Sequence, residues 1–190
     1  MKDLNQSEIR GERMSVNKIC INGIGIALFV VMTLCLQVPV FENYYLCLGY
    51  VAMAFFTYYF GTTSGVLVGT VGVFLYCLLT GGLRGMPGWI LGNFVIGIIC
   101  GVTANVVKKY ERKYIKELMM IIAVVISTAI GILVVKSCVE VVLYSLPFML
   151  RVANNIFAFV ADVVVLILGF EICIRGDSLW WKIVNERNRI

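Results

Sequence analysis

The amino-acid sequence predicts an all-α membrane protein, a six-transmembrane-helix bundle with its N and C termini in the cytoplasm. Three observations carry this. Of the 190 residues, 61% are hydrophobic and only 14% charged, which excludes a disordered chain, a water-soluble surface and most nucleic-acid binders. Apolar runs recur at roughly the length a bilayer demands, about 20 residues per helix. Basic residues gather in alternate connecting segments, as they do on the cytoplasmic side of membrane proteins.

The runs lie at 19–38, 44–60, 65–79, 88–107, 118–138 and 152–174, with polar tails at 1–18 and 175–190, and together they form one transmembrane domain. The first run follows a polar, basic segment and lacks a small-residue cleavage pattern, so it reads as a retained span and not a signal peptide. The second and third runs are short and separated only by FGTTSG (Phe60 to Gly65). Fused from Tyr44 to Thr80 they would make a helix of about 55 Å against a hydrocarbon core of roughly 30 Å, so a tight hairpin is predicted instead.

The charges orient the bundle. Lys2, Arg10, Arg13 and Lys18 lie in the N-terminal tail, Lys108, Lys109, Arg112, Lys113 and Lys116 between the fourth and fifth spans, and Arg175, Lys182, Arg187 and Arg189 in the C-terminal tail. Of the basic residues, the segments at 39–43, 81–87 and 145–151 hold only Arg84 and Arg151, and they read as external. Six spans place every basic segment in the cytoplasm, whereas five would put the link between the fourth and fifth outside. Trp180 and Trp181, just past the last span, read as inner-interface anchors.

Small residues recur four apart: Gly23 and Ala27; Gly61, Gly65 and Gly69; Gly88 and Gly92; Gly97 and Gly101. Lipid gives helices no hydrophobic reason to associate, so such faces supply close packing within the bundle or a docking surface for another membrane protein.

The chemistry available is narrow. Histidine is absent, and the seven cysteines are scattered without a CxxC pair, so neither a metal nor a disulfide framework is predicted. No phosphate-binding loop and no catalytic motif is present, so the chain is expected to be no enzyme, to carry no cofactor and to depend on a separate ATPase for any ATP-driven work.

Charged groups inside spans cost about 2.5 to 3.5 kcal/mol each on insertion scales and call for a partner or a cavity. Asp162 lies near the middle of the sixth span, on one stripe with Arg151, Asn155, Ala158 and Gly169, and serves either as a link between helices or as a ligand contact. Lys136 and Glu140, four apart near the outer end of the fifth span, form either a solvated rim pair or an inward pair lining an outward-open cavity. Arg84, in GGLRGMPG, is a solvated loop charge or a clamp on an anion. Phe41, Tyr44, Tyr45, Tyr50 and Trp89 crowd the external side as an interfacial belt or as a platform for a flat heteroaromatic ligand. Asn93, one turn inside Trp89, needs a hydrogen-bond partner, which a ligand would supply.

Four segments then point to a family: GIGIALF opening the first span (Gly23 to Phe29), QVPVF ending it (Gln37 to Phe41), YFGTTSGVLVG at the second hairpin (Tyr59 to Gly69) and GMPGWILGNFVIGIICG (Gly85 to Gly101). In order and spacing they resemble the substrate-binding S components of energy-coupling factor (ECF) vitamin transporters, the riboflavin-type branch most closely. The resemblance covers the first 107 residues well and the rest in outline.

It implies a subunit of the bacterial cell membrane that binds a water-soluble vitamin on its outer side. Riboflavin-like substrates come first and pantothenate or pyridoxine-like compounds next. It also implies a transmembrane coupling protein and two cytoplasmic ATPases as partners. The family's Ala-xxx-Ala docking face corresponds to Gly23 and Ala27, with glycine in the first position. Its pocket corresponds to the first external loop, the loop after the third helix, and the outer halves around Trp89 and Asn93, Lys136 and Glu140, and Arg151 to Asn155. The family's asparagine near the start of the last helix corresponds to Asn154 or Asn155. The competing expectations are a stand-alone small-solute permease or channel conducting along the Asp162 stripe, and a membrane enzyme, for which no catalytic pair is present.

Overall fold

The computed structural model describes residues 2–35, 37–41, 44–83, 85–110, 112–145 and 147–187, with side chains placed over 16–35, 47–83, 85–110, 112–145 and 147–177. Seven α-helices and one β-hairpin follow in order: α1 (Lys2–Cys35), β1 (Gln37–Phe41), β2 (Tyr44–Cys47), α2 (Gly49–Phe60), α3 (Thr62–Thr80), α4 (Met86–Val107), α5 (Lys113–Thr128), a π-helical segment (Ala129–Lys136), α6 (Ser137–Tyr144) and α7 (Phe148–Arg187). The segment α5–π–α6 is one helical run from 113 to 144.

Five helices among the described residues are long and apolar enough to cross a membrane: Val16–Cys35, Thr62–Thr80, Met86–Val107, Lys113–Tyr144 and Phe148–Asp177. The predicted second span is the exception. Of 44–60 only Gly49–Phe60 is helical, 12 residues, or about 18 Å of the roughly 30 Å required. Tyr44–Cys47 pairs antiparallel with Gln37–Phe41 instead, matching Val38 with Leu46 and Pro39 with Tyr45. Pro39 cannot continue the helix of the first span, and the Val, Phe and Tyr residues around it favour an extended chain. The first span therefore ends at Cys35 and not at 38, and the expected external loop at 39–43 is largely hairpin.

The turn between the second and third spans is also shorter than FGTTSG suggests. It is Gly61 alone, at φ 93°, a value glycine adopts freely. Gly65 lets α3 pass directly over Thr57 of α2, where a Cβ would collide with the threonine side chain. Elsewhere Gly81 in the left-handed region ends α3, Pro87 occupies the first turn of α4, and Ser145, also left-handed, ends α6.

The short α2 is the centre of the bundle. Tyr50, Ala52, Met53, Ala54, Phe56 and Tyr58 are all at most 5% exposed, enclosed by α1, α3 and α7. Glycine makes the approaches close: a Cβ on Gly69 would meet Met53, one on Gly72 would meet Phe29, and one on Gly97 would lie 2.9 Å from the Val66 backbone. Gly61 forms the turn, while Gly65 and Gly69, Gly88 and Gly92, and Gly97 and Gly101 thus serve packing inside the chain. Gly23 and Ala27 do not; both lie on the exposed face of α1, and a Cβ on Gly23 meets nothing within 4 Å.

Candidate functional site

One end of the bundle holds the hairpin, the start of α2, the α3–α4 connection and the α6–α7 connection. A buried polar cluster lies just inside it, and the backbone of α4 builds its first wall. Gly92 of α4 and Gly131 of the π-helical segment approach backbone to backbone, since a Cβ on either would lie 2.7–2.8 Å from the other's carbonyl oxygen. The π geometry leaves Ser137 Oγ bonded five residues back, to the Ile132 carbonyl at 3.5 Å. It also turns the next residues toward α4: a Cβ on Gly88 would meet Lys136 at 3.1 Å and Glu140 Cγ at 3.5 Å. Lys136 and Glu140 therefore face inward, and Glu140 is 6% exposed.

The second wall is α7, whose inward stripe is the predicted one. Asn155 Nδ2 donates to Ser137 Oγ at 3.0 Å and to Glu140 Oε2 at 3.3 Å. Arg151 Nε lies 3.9 Å from the same carboxylate oxygen. The ion pair that Glu140 makes within 4 Å is thus with Arg151 across the helix interface, while Lys136, four residues away, interacts with the Glu140 charge at longer range. Two turns deeper, Asp162 is buried, shares the Tyr50 hydroxyl and lies in the field of the Lys136 ammonium. Two acids and two bases in one cluster leave it formally neutral, and each buried charge finds a partner of the kind its desolvation requires.

Tyr50 links this cluster to α4. Trp89 Nε1 donates to the Tyr50 hydroxyl oxygen at 2.8 Å, and the hydroxyl donates to Asn93 Oδ1 at 2.8 Å. Asn93 Nδ2 in turn donates to the Gly69 carbonyl of α3 at 3.2 Å. The amide that called for a partner has two within the protein. The Trp89 ring is half-buried, edge-on to Tyr76 with centroids 5.7 Å apart.

Seven of the predicted site residues come together this way: Trp89, Asn93, Lys136, Glu140, Arg151, Asn155 and Asp162. Asn154 does not, since it faces outward while Asn155 is buried. Tyr45 belongs to β2, which packs on α7 beside the cluster, but its side chain, like the whole of Arg84, lies outside the described residues. A shallow depression on α4 and α6, lined by Pro87, Cys138, Val139, Val142 and Leu143, is apolar throughout and separate from this cluster.

The sequence match decides the family. Residues 13–174 match the family described as ECF-type riboflavin transporter, S component. The chain belongs to this family. It is therefore a substrate-binding subunit of an ECF importer and a multi-pass protein of the bacterial plasma membrane, with a small-molecule substrate and an ECF module as partner. This S component is 27% identical over 157 residues to a UPF0397 protein of Streptococcus thermophilus, covering 75% of this chain and 83% of that one. It is 33% identical over 99 residues to a UPF0397 protein of Lactococcus lactis, covering 49% and 51%. No solved structure matches it.

Below Asp162 the stripe of this S component is packed shut. A Cβ on Gly169 would lie 2.8 Å from Ala54 of α2, and Val165, Leu166 and Phe170 beside it are at most 2% exposed. Two members of the cluster escaped the sequence reading. Ser137 adjoins Lys136, and its hydroxyl inside an apolar run was the available signal. Tyr50 reads from the sequence as an interfacial aromatic or a stacking ring, although its hydroxyl, like the Asn93 amide, is a polar atom among apolar residues that must be satisfied.

Proposed function

We propose that this protein captures a water-soluble vitamin from the outer side of the membrane, a flavin-like compound first and pantothenate or a pyridoxine-like compound next. It delivers that ligand through a transmembrane coupling protein and two cytoplasmic ATPases. The reading rests on one observation above all: a buried, formally neutral polar cluster at a single end of the bundle, with aromatic rings beside it and packed apolar layers beneath. Such a site suits a neutral or zwitterionic solute held by a few convergent polar groups. Trp89, Lys136, Glu140, Arg151, Asn155 and Asp162 are its proposed ligand residues, with Tyr45 and Arg84 as roof. Asn93 contributes through Tyr50, and Asn154 has no part.

The positive-inside distribution supports cytoplasmic termini, with α2 and the hairpin together serving as the short second crossing of a six-span chain. The exposed face at Gly23 and Ala27 is the proposed contact with the coupling protein, because small residues there permit close helix approach. Mass spectrometry of small molecules released on denaturing the detergent-purified protein tests the reading. A stoichiometric vitamin is expected. A protein that retains none of these vitamins when they are supplied, yet conducts solute in liposomes without any other protein, overturns it in favour of a permease.

A further inference from the structure

Tyr50 occupies a peculiar place beside the candidate site. It is 0% exposed, and the edge of Phe29 from α1 closes over its ring at 6.0 Å and 84°. A phenol offers one hydrogen and accepts through its lone pairs. Here the Trp89 N–H meets a lone pair at 2.8 Å, and the single hydrogen, 2.8 Å from the Asn93 carbonyl oxygen, is shared with the Asp162 carboxyl two turns deeper on α7. The other end of the Asn93 amide is held by Gly69. One hydroxyl thus fixes two side chains of α4, and the polar atoms of both are engaged inside the protein. What α4 offers a ligand is the half-buried Trp89 ring, with Tyr76 edge-on to it.

We propose that Tyr50 is a positioning residue for ligand recognition: without touching the ligand, its hydroxyl holds the Trp89 ring in the orientation on which a flat heteroaromatic ligand stacks. The inference rests on the flavin-like reading above. An indole released from its N–H bond would sample other rotamers, and the ligand would have to order it again on binding. Aromatic stacking depends on ring offset and angle, so the effect falls on affinity more than on folding.

The test uses the full chain in detergent with Trp180→Phe and Trp181→Phe, which leaves Trp89 as the reporter among the three tryptophans. Tyr50→Phe is expected to lower Trp89 anisotropy, shift its emission and raise the Kd for riboflavin, read by flavin quenching, about tenfold or more. In a Trp89→Phe background the same change should raise Kd by a distinctly smaller factor, with only the lost Asp162 hydrogen bond remaining to weaken binding, because coupled residues are not additive. Tyr58→Phe, which removes a comparable buried hydroxyl at the opposite end, is the control and should leave Trp89 and Kd unchanged. Unaltered Trp89 anisotropy and emission in Tyr50→Phe overturns the proposal, as do affinity losses that simply multiply. If the parent chain binds no riboflavin, the flavin reading falls, and the Trp89 signals still decide whether Tyr50 holds the ring. Should Tyr50→Phe fail to fold, the indole N–H band in the ultraviolet Raman spectrum of the parent decides instead: a hydrogen-bonded frequency is expected, and a free one overturns the proposal.

Discussion

The two ends of the bundle are built from the same three residue types and reach opposite results. At the end with the hairpin, Tyr50 of α2, Asp162 of α7 and Lys136 of the π-helical segment meet, the aspartate and tyrosine buried. At the other end Tyr58 of α2 donates to Asp177 Oδ2 of α7 at 3.3 Å, and Lys108 Nζ lies 5.1 Å over the Tyr58 ring. Lys108 is exposed and Asp177 half-buried there, so both charges lie within reach of solvent. The first trio has no such recourse and draws in Trp89, Asn93, Asn155, Glu140 and Arg151. A tyrosine, an acid and a lysine at the solvent edge tie helices together; the same trio out of water needs a network, and a network is what a ligand can enter.

Breaking the first end at its backbone should have the largest effect. Gly92→Leu forces a side chain into the Gly131 backbone, where no flexible neighbour can yield. A loss of about 3 kcal/mol or failure to fold is expected, read by thermal unfolding in detergent. Next come Glu140→Ala and Asn155→Ala, which should raise ligand Kd about 10- to 100-fold while the fold persists, since each removes a buried hydrogen-bonding group. Asp177→Asn at the other end should leave Kd within about twofold; equal losses at both ends would erase the distinction drawn here.

Gly23→Leu probes a face that belongs to neither cluster. Binding should hold, because the new side chain meets nothing within the chain, while uptake by vesicles holding the whole importer should fall about tenfold through a blocked helix contact. Lost binding instead would place Gly23 inside a packed interface.

The smallest effect sharpens the second end. Lys108 is largely exposed, but partial desolvation of its amine over the Tyr58 ring lowers it below its ordinary 10.5, and Asp177 opposes the shift. Between the lowered value and 10.5 the unfolded chain binds more protons than the folded one, so stability rises with pH across that window. Lys108→Met should flatten the rise in alkaline unfolding curves without altering Kd.

Much of this was legible in the residues themselves. Apolar run length marked each of the five long helices, although Lys113–Tyr144 extends five and six residues beyond its run, because the bilayer fixes how many residues a crossing takes. The 3.6-residue period placed Arg151, Asn155 and Asp162 on one inward face of α7, since a helix that carries charge in lipid must turn it inward. Partner choice was not legible. The i, i+4 spacing suggested a Lys136–Glu140 pair, whereas the π-helical segment and the Gly92–Gly131 contact bring Glu140 to Arg151 and Asn155. The sequence read Asn93 as awaiting a ligand, yet Tyr50 and Gly69, far away in the chain, already satisfy it. Nor did apolar content reveal that Tyr44–Cys47 pairs as a strand, because hydropathy does not distinguish a buried strand from a short helix. Composition and periodicity by themselves determined that the chain lies in a membrane and which faces turn inward. Only the tertiary structure decided which polar atoms remain for a ligand, because hydrogen bonds between helices depend on approach distances set by packed glycines and not on spacing along the chain.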